Sequence, residues 1–193
     1  LVEECKKRSI PIRIGVNSGS ISREIIDRFG GVNKDSLVAS ALEEVKILED
    51  MDFHDIKISV KSSDVNTMID AYRLLSSKVD YPLHLGVTEA GPLYQAIVKS
   101  SIGIGSLLKD GIGDTLRVSI TGDIVEEVRA GKAILKALGL RRDGLDIVSC
   151  PTCSRTTVDL PRIVKEVEEK SKGLDINAKV AIMGCPVNGP GES

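Results

Sequence analysis

Three of the four cysteines stand at spacings that suit one shared metal centre. Cys150-Pro-Thr-Cys153 follows a short β-branched run at residues 145–148, and Cys185 follows a second run at residues 180–183. Because one predicted helix joins the two runs, we expect parallel neighbouring strands that bring the three sulfurs to one sheet edge. Thiolates are soft ligands that select zinc, copper(I) or iron-sulfur clusters over magnesium or calcium. The pattern predicts a metal centre and favours an iron-sulfur cluster.

Two other uses of these cysteines stay open on the residues alone. A structural zinc module needs four Cys or His ligands, but the two histidines, His54 and His84, belong to the preceding part of the chain. A dithiol-disulfide oxidoreductase would use the Cys-x-x-Cys pair and leave Cys185 as a bystander. A three-cysteine cluster leaves one iron for a weaker ligand, and Glu192 follows in a Gly/Pro-rich loop. Cys5 lies outside every motif and is expected to be an ordinary helix or core residue.

The bulk composition excludes several classes of function. The 193 residues carry a formal net charge of −2 with both signs interspersed, so no overall field attracts nucleic acid or an anionic membrane. Aromatic residues make up 3%, which leaves little surface for stacking bases. No apolar run approaches the roughly 20 residues that span a bilayer, and the first residues lack a signal-peptide pattern. We expect a cytoplasmic enzyme without nucleic-acid or membrane partners.

Short β-branched runs alternate with amphipathic helical patterns along the chain. Asp35 or Ser36 is expected to cap one helix and Asp64 another. Strands separated by helices form βαβ units, which predict an α/β fold with a parallel sheet. The predicted strands cover residues 12–16, 56–60, 83–87, 116–120, 145–148 and 180–183, and a helix over residues 160–170 joins the last two.

Polar residues close or follow the first four predicted strands, which favours a barrel over an open sheet. They are Asn17, Lys61, Thr88, Glu89 and Thr121. A (β/α)₈ barrel builds its site from such residues at the carboxyl ends of its strands. A full barrel takes about 250 residues, whereas only four units precede the cysteines. The chain is therefore expected to be an internal piece of a larger protein. Alone, this piece is expected to be inactive and unstable.

The cysteines divide the chain into two predicted domains. Residues 1–141 are expected to form the C-terminal half of a TIM-like (β/α) barrel that binds substrate. Residues 142–193 are expected to begin a small α/β domain that binds the cluster. The boundary is placed where the composition turns charged and Gly-containing, around residues 141–144.

Six motifs that cover nearly the whole chain resemble those of one known family, the bacterial hydroxymethylbutenyl diphosphate synthases of the non-mevalonate isoprenoid pathway. The pairing of the last two motifs is the most specific part of the resemblance. The motifs are Ile10-Pro-Ile-Arg-Ile-Gly-Val-Asn17, Val60-Lys-Ser-Ser-Asp64, His84-Leu-Gly-Val-Thr-Glu-Ala-Gly91, Gly111-Ile-Gly-Asp-Thr-Leu-Arg-Val-Ser119, Cys150-Pro-Thr-Cys-Ser-Arg155 and Gly184-Cys-Pro-Val-Asn-Gly-Pro-Gly-Glu192.

The resemblance implies a [4Fe-4S] cluster on Cys150, Cys153 and Cys185, with Glu192 as the fourth, displaceable ligand. It implies reduction of 2-C-methyl-D-erythritol 2,4-cyclodiphosphate to 4-hydroxy-3-methylbut-2-enyl diphosphate by two electrons, with ring opening and loss of a hydroxyl as water. Ferredoxin or flavodoxin would supply the electrons. The resemblance also implies a homodimer in which the cluster domain of one subunit closes over the barrel of the other.

Cationic residues of the predicted barrel suit the diphosphate of such a substrate, because guanidinium and ammonium groups bind phosphate oxygens. Asn17 would add a neutral donor, and His84 or Glu89 would handle protons, while Glu192 would free an iron for a substrate oxygen. Each basic residue alone would equally fit an ordinary surface charge. The candidate diphosphate ligands are Arg13, Asn17, Lys61, Lys99, Arg117 and, at the domain junction, Arg141.

Overall fold

The computed structural model describes residues 1–174 and 176–188, in which strands and helices alternate. The strands are β1 (Ile12–Asn17), β2 (Ile56–Lys61), β3 (His84–Leu85), β4 (Thr115–Leu116), β5 (Gly144–Ser149) and β6 (Asn177–Ile182). The helices are α1 (Val2–Arg8), α2 (Arg23–Phe29), α3 (Lys34–Asp50), α4 (Val65–Ser76), α5 (Leu93–Lys109), α6 (Ile124–Ala137) and α7 (Leu160–Ser171). The predicted α/β class is confirmed.

The chain divides into two compact units, Leu1–Leu138 and Gly139–Ser193. In the first unit β1 pairs in parallel with β2, and β3 pairs in parallel with β4. A parallel bridge between Ile58 and Leu83 joins the two pairs, so the strands lie side by side in chain order. This sequential order is the one found in a (β/α) barrel. The strands of the described residues form a barrel segment and do not close into a barrel.

The two faces of this sheet differ in polarity because alternate residues of a strand point to opposite faces. Ile14 and Val16 of β1 are buried, as are Ile58 and Val60 of β2, and helices α3 and α4 pack on this side. Burial of one such side chain contributes roughly 1.5–3 kcal/mol. Arg13 and its alternating neighbours on β1 are exposed. We call their side of the sheet the open face.

Local capping explains where two of the helices begin. Asn33 caps α3, because its side-chain oxygen accepts hydrogen bonds from the backbone N–H groups of Asp35 and Ser36, both at 3.0 Å. Ser36 Oγ accepts in return from the Asn33 N–H at 2.9 Å, which completes a reciprocal capping box. The prediction of Asp35 or Ser36 as the cap was therefore wrong. Asp64 caps α4 as predicted, by accepting from the Thr67 N–H at 2.7 Å.

The second unit contains a parallel pair of strands, β5 and β6, with helix α7 packed against β5. The predicted parallel pairing of these two strands is confirmed. The unit begins at Gly139, close to the predicted boundary after residue 141. The assignment of substrate binding to one domain and cluster binding to the other stays a prediction. Within the described part of the chain, none of the helices has the length and apolarity required to cross a membrane.

Candidate functional site

Four cations and one imidazole gather on the open face of the first unit. The strand register places Arg13 opposite Lys57, and Asn17 opposite Lys61. His84 lies opposite Thr115, and the Arg117 N–H continues that pairing by donating to the Leu85 carbonyl at 2.9 Å. Four predicted residues thus share one surface, which also includes Lys57. The members of this cationic cluster are Arg13, Lys57, Lys61, His84 and Arg117.

His84 occupies the centre of the cationic cluster. Its Nδ1 lies 2.9 Å from Thr115 Oγ1, while its buried Nε2 has no hydrogen-bond partner among the described residues. Burial, together with the smaller effects of the nearby charges of Lys61, Arg13, Lys57 and Arg117 in that order, lowers the pKa of His84 to about 4. The imidazole is therefore neutral at pH 7. An unpaired ring nitrogen among cations is suited to an anionic oxygen ligand.

Lys61 is crowded by charges of its own sign. Burial, followed by repulsion from Arg117 and Arg13, lowers its pKa to about 8, although Glu127 acts in the opposite direction. Glu127 lies 3.6 Å from the Arg117 guanidinium and accepts a hydrogen bond from the Ile120 N–H at 2.9 Å. One carboxylate on α6 thus offsets only part of the positive charge. The remaining charge would be neutralised by a bound anion.

Gly86 makes room for the Lys61 side chain. A Cβ at this position would lie 3.1 Å from Lys61 Cε, 3.4 Å from its Nζ and 2.8 Å from the Arg117 carbonyl oxygen. The last contact is shorter than real Cβ atoms tolerate, and its partner is backbone. Gly86 therefore allows β3 and β4 to approach each other beneath the ammonium group.

Replacing Gly86 with alanine is expected to lower the free energy of unfolding by about 1–3 kcal/mol, the usual cost of overpacking. Because the Lys61 ammonium and the Arg117 backbone must shift, the variant should also bind inorganic pyrophosphate more weakly. Urea unfolding and calorimetry measure the two effects. Gly15→Ala is the matched control, since Gly15 belongs to the open face of the same sheet, on β1, and a Cβ there meets nothing within 4 Å. Equal pyrophosphate affinity in both variants would contradict the expectation.

Other predicted site residues lie around or away from the cluster. Asn17 ends β1, and its backbone N–H donates to Ser20 Oγ at 3.0 Å. Glu89 is exposed in the loop after β3 with a left-handed φ of 51°, a strained conformation for a non-glycine residue. Lys99 lies within α5 and not at a strand end. It is the last contributor to the lowered pKa of Asp64, after the hydrogen bonds from Thr67.

Besides the three cysteines, two predicted site residues are not part of the first unit. Arg141 belongs to the second unit, where its guanidinium pairs with the Asp143 carboxylate at 2.6 Å. The hydrogen bond to Asp143 raises the pKa of Arg141. Glu192 lies outside the described residues, so its predicted roles as cluster ligand and catalytic group stay predictions.

The cysteines of the second unit lie after the carboxyl ends of β5 and β6. Cys150 directly follows β5, and the Gly184 N–H donates to its Sγ at 3.4 Å. The Thr157 N–H donates to the Gly184 carbonyl at 3.0 Å, so the two cysteine-bearing loops are joined by backbone. Cys185 is buried, Cys150 is half-buried and Cys153 is exposed, and all three thiols are free. The described loops thus bring together the segments that carry the thiols.

Hydrogen bonds from the Arg155 backbone and side chain lower the pKa of the Cys153 thiol, which favours its thiolate form. Thiolates and an N–H···S bond are the groups expected around iron-sulfur clusters. The donor set therefore fits a cluster. Within residues 1–174 and 176–188, however, no three His, Cys, Asp or Glu side chains are placed together so as to hold a metal ion.

Sequence reasoning missed three residues of the first site. Lys57 shares a face with Lys61 because the two are four positions apart on one strand, a signal that was present in the sequence. Thr115 and Glu127 act through contacts between different elements, for which no local pattern exists.

Comparison with known proteins establishes the family of the chain. A family model described as the GcpE TIM-barrel domain matches residues 1–132, and one described as the GcpE protein C-terminal domain matches residues 146–193. The Clostridium perfringens protein named 4-hydroxy-3-methylbut-2-en-1-yl diphosphate synthase (flavodoxin) is 60% identical over 193 residues, which are 100% of this chain and 55% of that protein. Proteins with the same name from Clostridium tetani and Geobacter sulfurreducens are 60% and 52% identical, over 99% and 100% of this chain and 55% of each relative.

The chain spans about half the length of these curated relatives. Both family models and the relatives agree with the resemblance drawn from the six motifs, so that prediction is confirmed. The chain belongs to the GcpE family.

Proposed function

We propose that this chain supplies substrate-binding and cluster-binding parts of a 4-hydroxy-3-methylbut-2-en-1-yl diphosphate synthase. The reaction would convert 2-C-methyl-D-erythritol 2,4-cyclodiphosphate to 4-hydroxy-3-methylbut-2-enyl diphosphate. It consumes two electrons and two protons, breaks a carbon–oxygen bond of the cyclic diphosphate and releases one water. We propose flavodoxin, which appears in the names of the relatives, as the electron donor. The enzyme that it reduces would be a cytoplasmic homodimer.

One observation supports substrate binding above the others. The neutral His84, whose buried Nε2 has no hydrogen-bond partner among the described residues, lies among Arg13, Lys57, Lys61 and Arg117, and this excess of positive charge is suited to a diphosphate. Arg13, Lys61 and Arg117 would orient the diphosphate by charge-assisted hydrogen bonds, and Lys57 would add to the positive field. His84 Nε2 would donate to or accept from a ligand oxygen, while Thr115 holds Nδ1. Glu89 and His84 are the groups proposed to move protons.

The thiols of Cys150, Cys153 and Cys185 would hold a [4Fe-4S] cluster, with Glu192 as the fourth ligand. When bound, the cluster would pass on the two electrons of the donor one at a time and would offer one iron to an oxygen ligand. The chain's own contribution is to favour the thiolate form of Cys153 and to shield Cys185 from solvent. The lowered pKa of Cys153 and the burial of Cys185 support this assignment.

Anaerobic reconstitution with iron and sulfide tests the proposal directly. Brown protein with bound iron and sulfide supports it. Colourless protein with zinc would instead support a structural scaffold, and metal-free protein a dithiol oxidoreductase.

The affinity for inorganic pyrophosphate is expected to fall as the pH rises from 7 to 9. The Lys61 pKa of about 8 means that its ammonium is mostly charged at pH 7 and about one-tenth charged at pH 9. The share of affinity that depends on this charge should therefore drop about tenfold. Isothermal titration calorimetry across this range measures it. Lys61→Arg is the control, since an arginine keeps its charge throughout, and the same pH dependence in both proteins would refute the role of Lys61.

A further inference from the structure

The ladder of hydrogen bonds between β2 and β3 is interrupted at the level of Val60 and His84. In a parallel pair, hydrogen bonds are evenly spaced along the strands. The Ile58 N–H donates to the Pro82 carbonyl at 2.9 Å, and further along the Thr88 N–H donates to the Ser62 carbonyl at 3.2 Å. The regular bond between these two would join the Val60 N–H to the His84 carbonyl.

The Tyr72 hydroxyl takes the place of that missing bond. The Val60 N–H donates to Tyr72 Oη at 3.2 Å, and the Tyr72 hydroxyl donates to the His84 carbonyl oxygen. Ser59 Oγ, whose side chain alternates with Ile58 and Val60 on β2, lies 3.4 Å from the same hydroxyl. Tyr72 is fully buried and extends from α4. Its hydroxyl therefore lies within the sheet, and two hydrogen bonds span a gap that one would normally close.

We infer that Tyr72 is a positioning residue, which holds β2 and β3 apart at the level where Lys61 and His84 leave the sheet. The His84 carbonyl that it binds belongs to the residue whose ring lies at the centre of the cationic cluster. The width of this gap decides how the Lys61 ammonium and the His84 ring face a common ligand. The functional part of this inference rests on the proposed diphosphate site. The insertion of the Tyr72 hydroxyl between β2 and β3, which we call the wedge, is independent of that proposal.

Tyr72→Phe keeps the ring and removes only the hydroxyl. The Val60 N–H and the His84 carbonyl must then move together by about one hydrogen-bond length, about 2.8 Å, or stay unpaired. Either result changes the backbone that carries the His84 ring. We expect pyrophosphate affinity to fall about tenfold, because small misplacements of binding groups are costly.

Tyr81→Phe is the matched control. Tyr81 also uses its hydroxyl twice, donating to Glu49 at 2.8 Å and lying 3.3 Å from His54 Nδ1, but it precedes β3 at the opposite end. The chain contains two histidines, so ring nitrogen NMR reports on both sites at once. Tyr72→Phe should shift the His84 signals and leave those of His54, and Tyr81→Phe should do the reverse without changing pyrophosphate affinity.

Unchanged His84 signals and unchanged pyrophosphate affinity in folded Tyr72→Phe would overturn the inference. If the original protein itself binds no pyrophosphate, the proposed function fails, while a His84 shift still supports the wedge. If Tyr72→Phe does not fold, 3-fluorotyrosine can replace the remaining tyrosines in the Tyr81→Phe background. The fluorinated hydroxyl is a stronger donor, so an unchanged carbonyl-carbon signal of His84 would then overturn the inference.

Discussion

Replacing Cys185 with serine is expected to remove most of the iron and sulfide that the anaerobically reconstituted protein retains. Cys185 follows β6, and its neighbour Gly184 donates a hydrogen bond to Cys150 Sγ. The proposed cluster would therefore depend on Cys185 to link the β6 loop to the Cys-x-x-Cys loop. A serine oxygen is a hard ligand and a poor substitute for a thiolate. Iron and sulfide assays, together with the visible absorption of the cluster, measure the loss.

Cys5→Ser is the control for this experiment, because Cys5 lies in α1 of the first unit and outside every cysteine motif. It should bind as much iron as the original protein. The unfolding of the metal-free Cys185→Ser variant must also be measured, since Cys185 is buried and its replacement carries a packing cost. Full iron and sulfide in a folded Cys185→Ser variant would show that Cys185 is no ligand. A variant of Cys153 that alone abolished redox activity would then favour the dithiol reading.

The longer strands could be predicted from sequence, and the shorter ones only in part. Strands β1 and β2 contain the predicted runs and extend one residue beyond them. These runs could be predicted because their alternating Ile and Val residues fill the core beneath α3 and α4. The runs at residues 83–87 and 116–120 were predicted as full strands, but regular pairing covers only residues 84 and 85 of the first run and residue 116 of the second. For β3 the cause is physical: the Tyr72 hydroxyl takes a ladder bond that regular pairing needs. No local pattern in the sequence reveals such an insertion.

Short or non-local features were also missed at the helices. Helix α2 has only seven residues between its Ser22 cap and Gly30, too few for a clear helical period. The cap of α3 was misplaced because three residues of the right type, Asn33, Asp35 and Ser36, lie within four positions of one another and compete for the role. The reciprocal bonds of Asn33 and Ser36 decide it.

The sequence predicted most cations of the candidate site but not the residues of other elements that position them. Arg13, Lys61, His84 and Arg117 belong to family motifs, and the structure gathers them on one face. Lys99 was predicted from a position at or near a strand end of the barrel portion, yet it lies within α5, the helix that follows β3. A position between two strands does not reveal which side of the sheet a residue occupies, whereas the alternation within a strand does.

Lys61→Met is expected to weaken pyrophosphate binding about 10- to 100-fold at pH 7. A hydrogen bond to a charged group contributes about 1.5–3 kcal/mol, and every 1.4 kcal/mol is tenfold in affinity. Methionine keeps much of the side-chain volume above Gly86, so packing changes little. Calorimetry measures the loss. Lys46→Met, which removes an exposed lysine from α3, is the matched control and should bind pyrophosphate as the original protein does.

The salt dependence of this loss in pyrophosphate affinity should distinguish a direct contact of Lys61 with the ligand from a long-range effect of its charge. Removing the Lys61 charge also relieves its repulsion of Arg117 and Arg13 and raises the pKa of His84, so part of the loss is recovered by the other cations. A direct contact survives high salt, whereas a distant charge is screened with a Debye length of about 3 Å at 1 M. Lys57, which lowers the His84 pKa from the preceding part of β2, should behave as the distant charge. If Lys57→Met and Lys61→Met lose equal affinity at every salt concentration, Lys61 contributes only to the general field and the proposed contact is wrong.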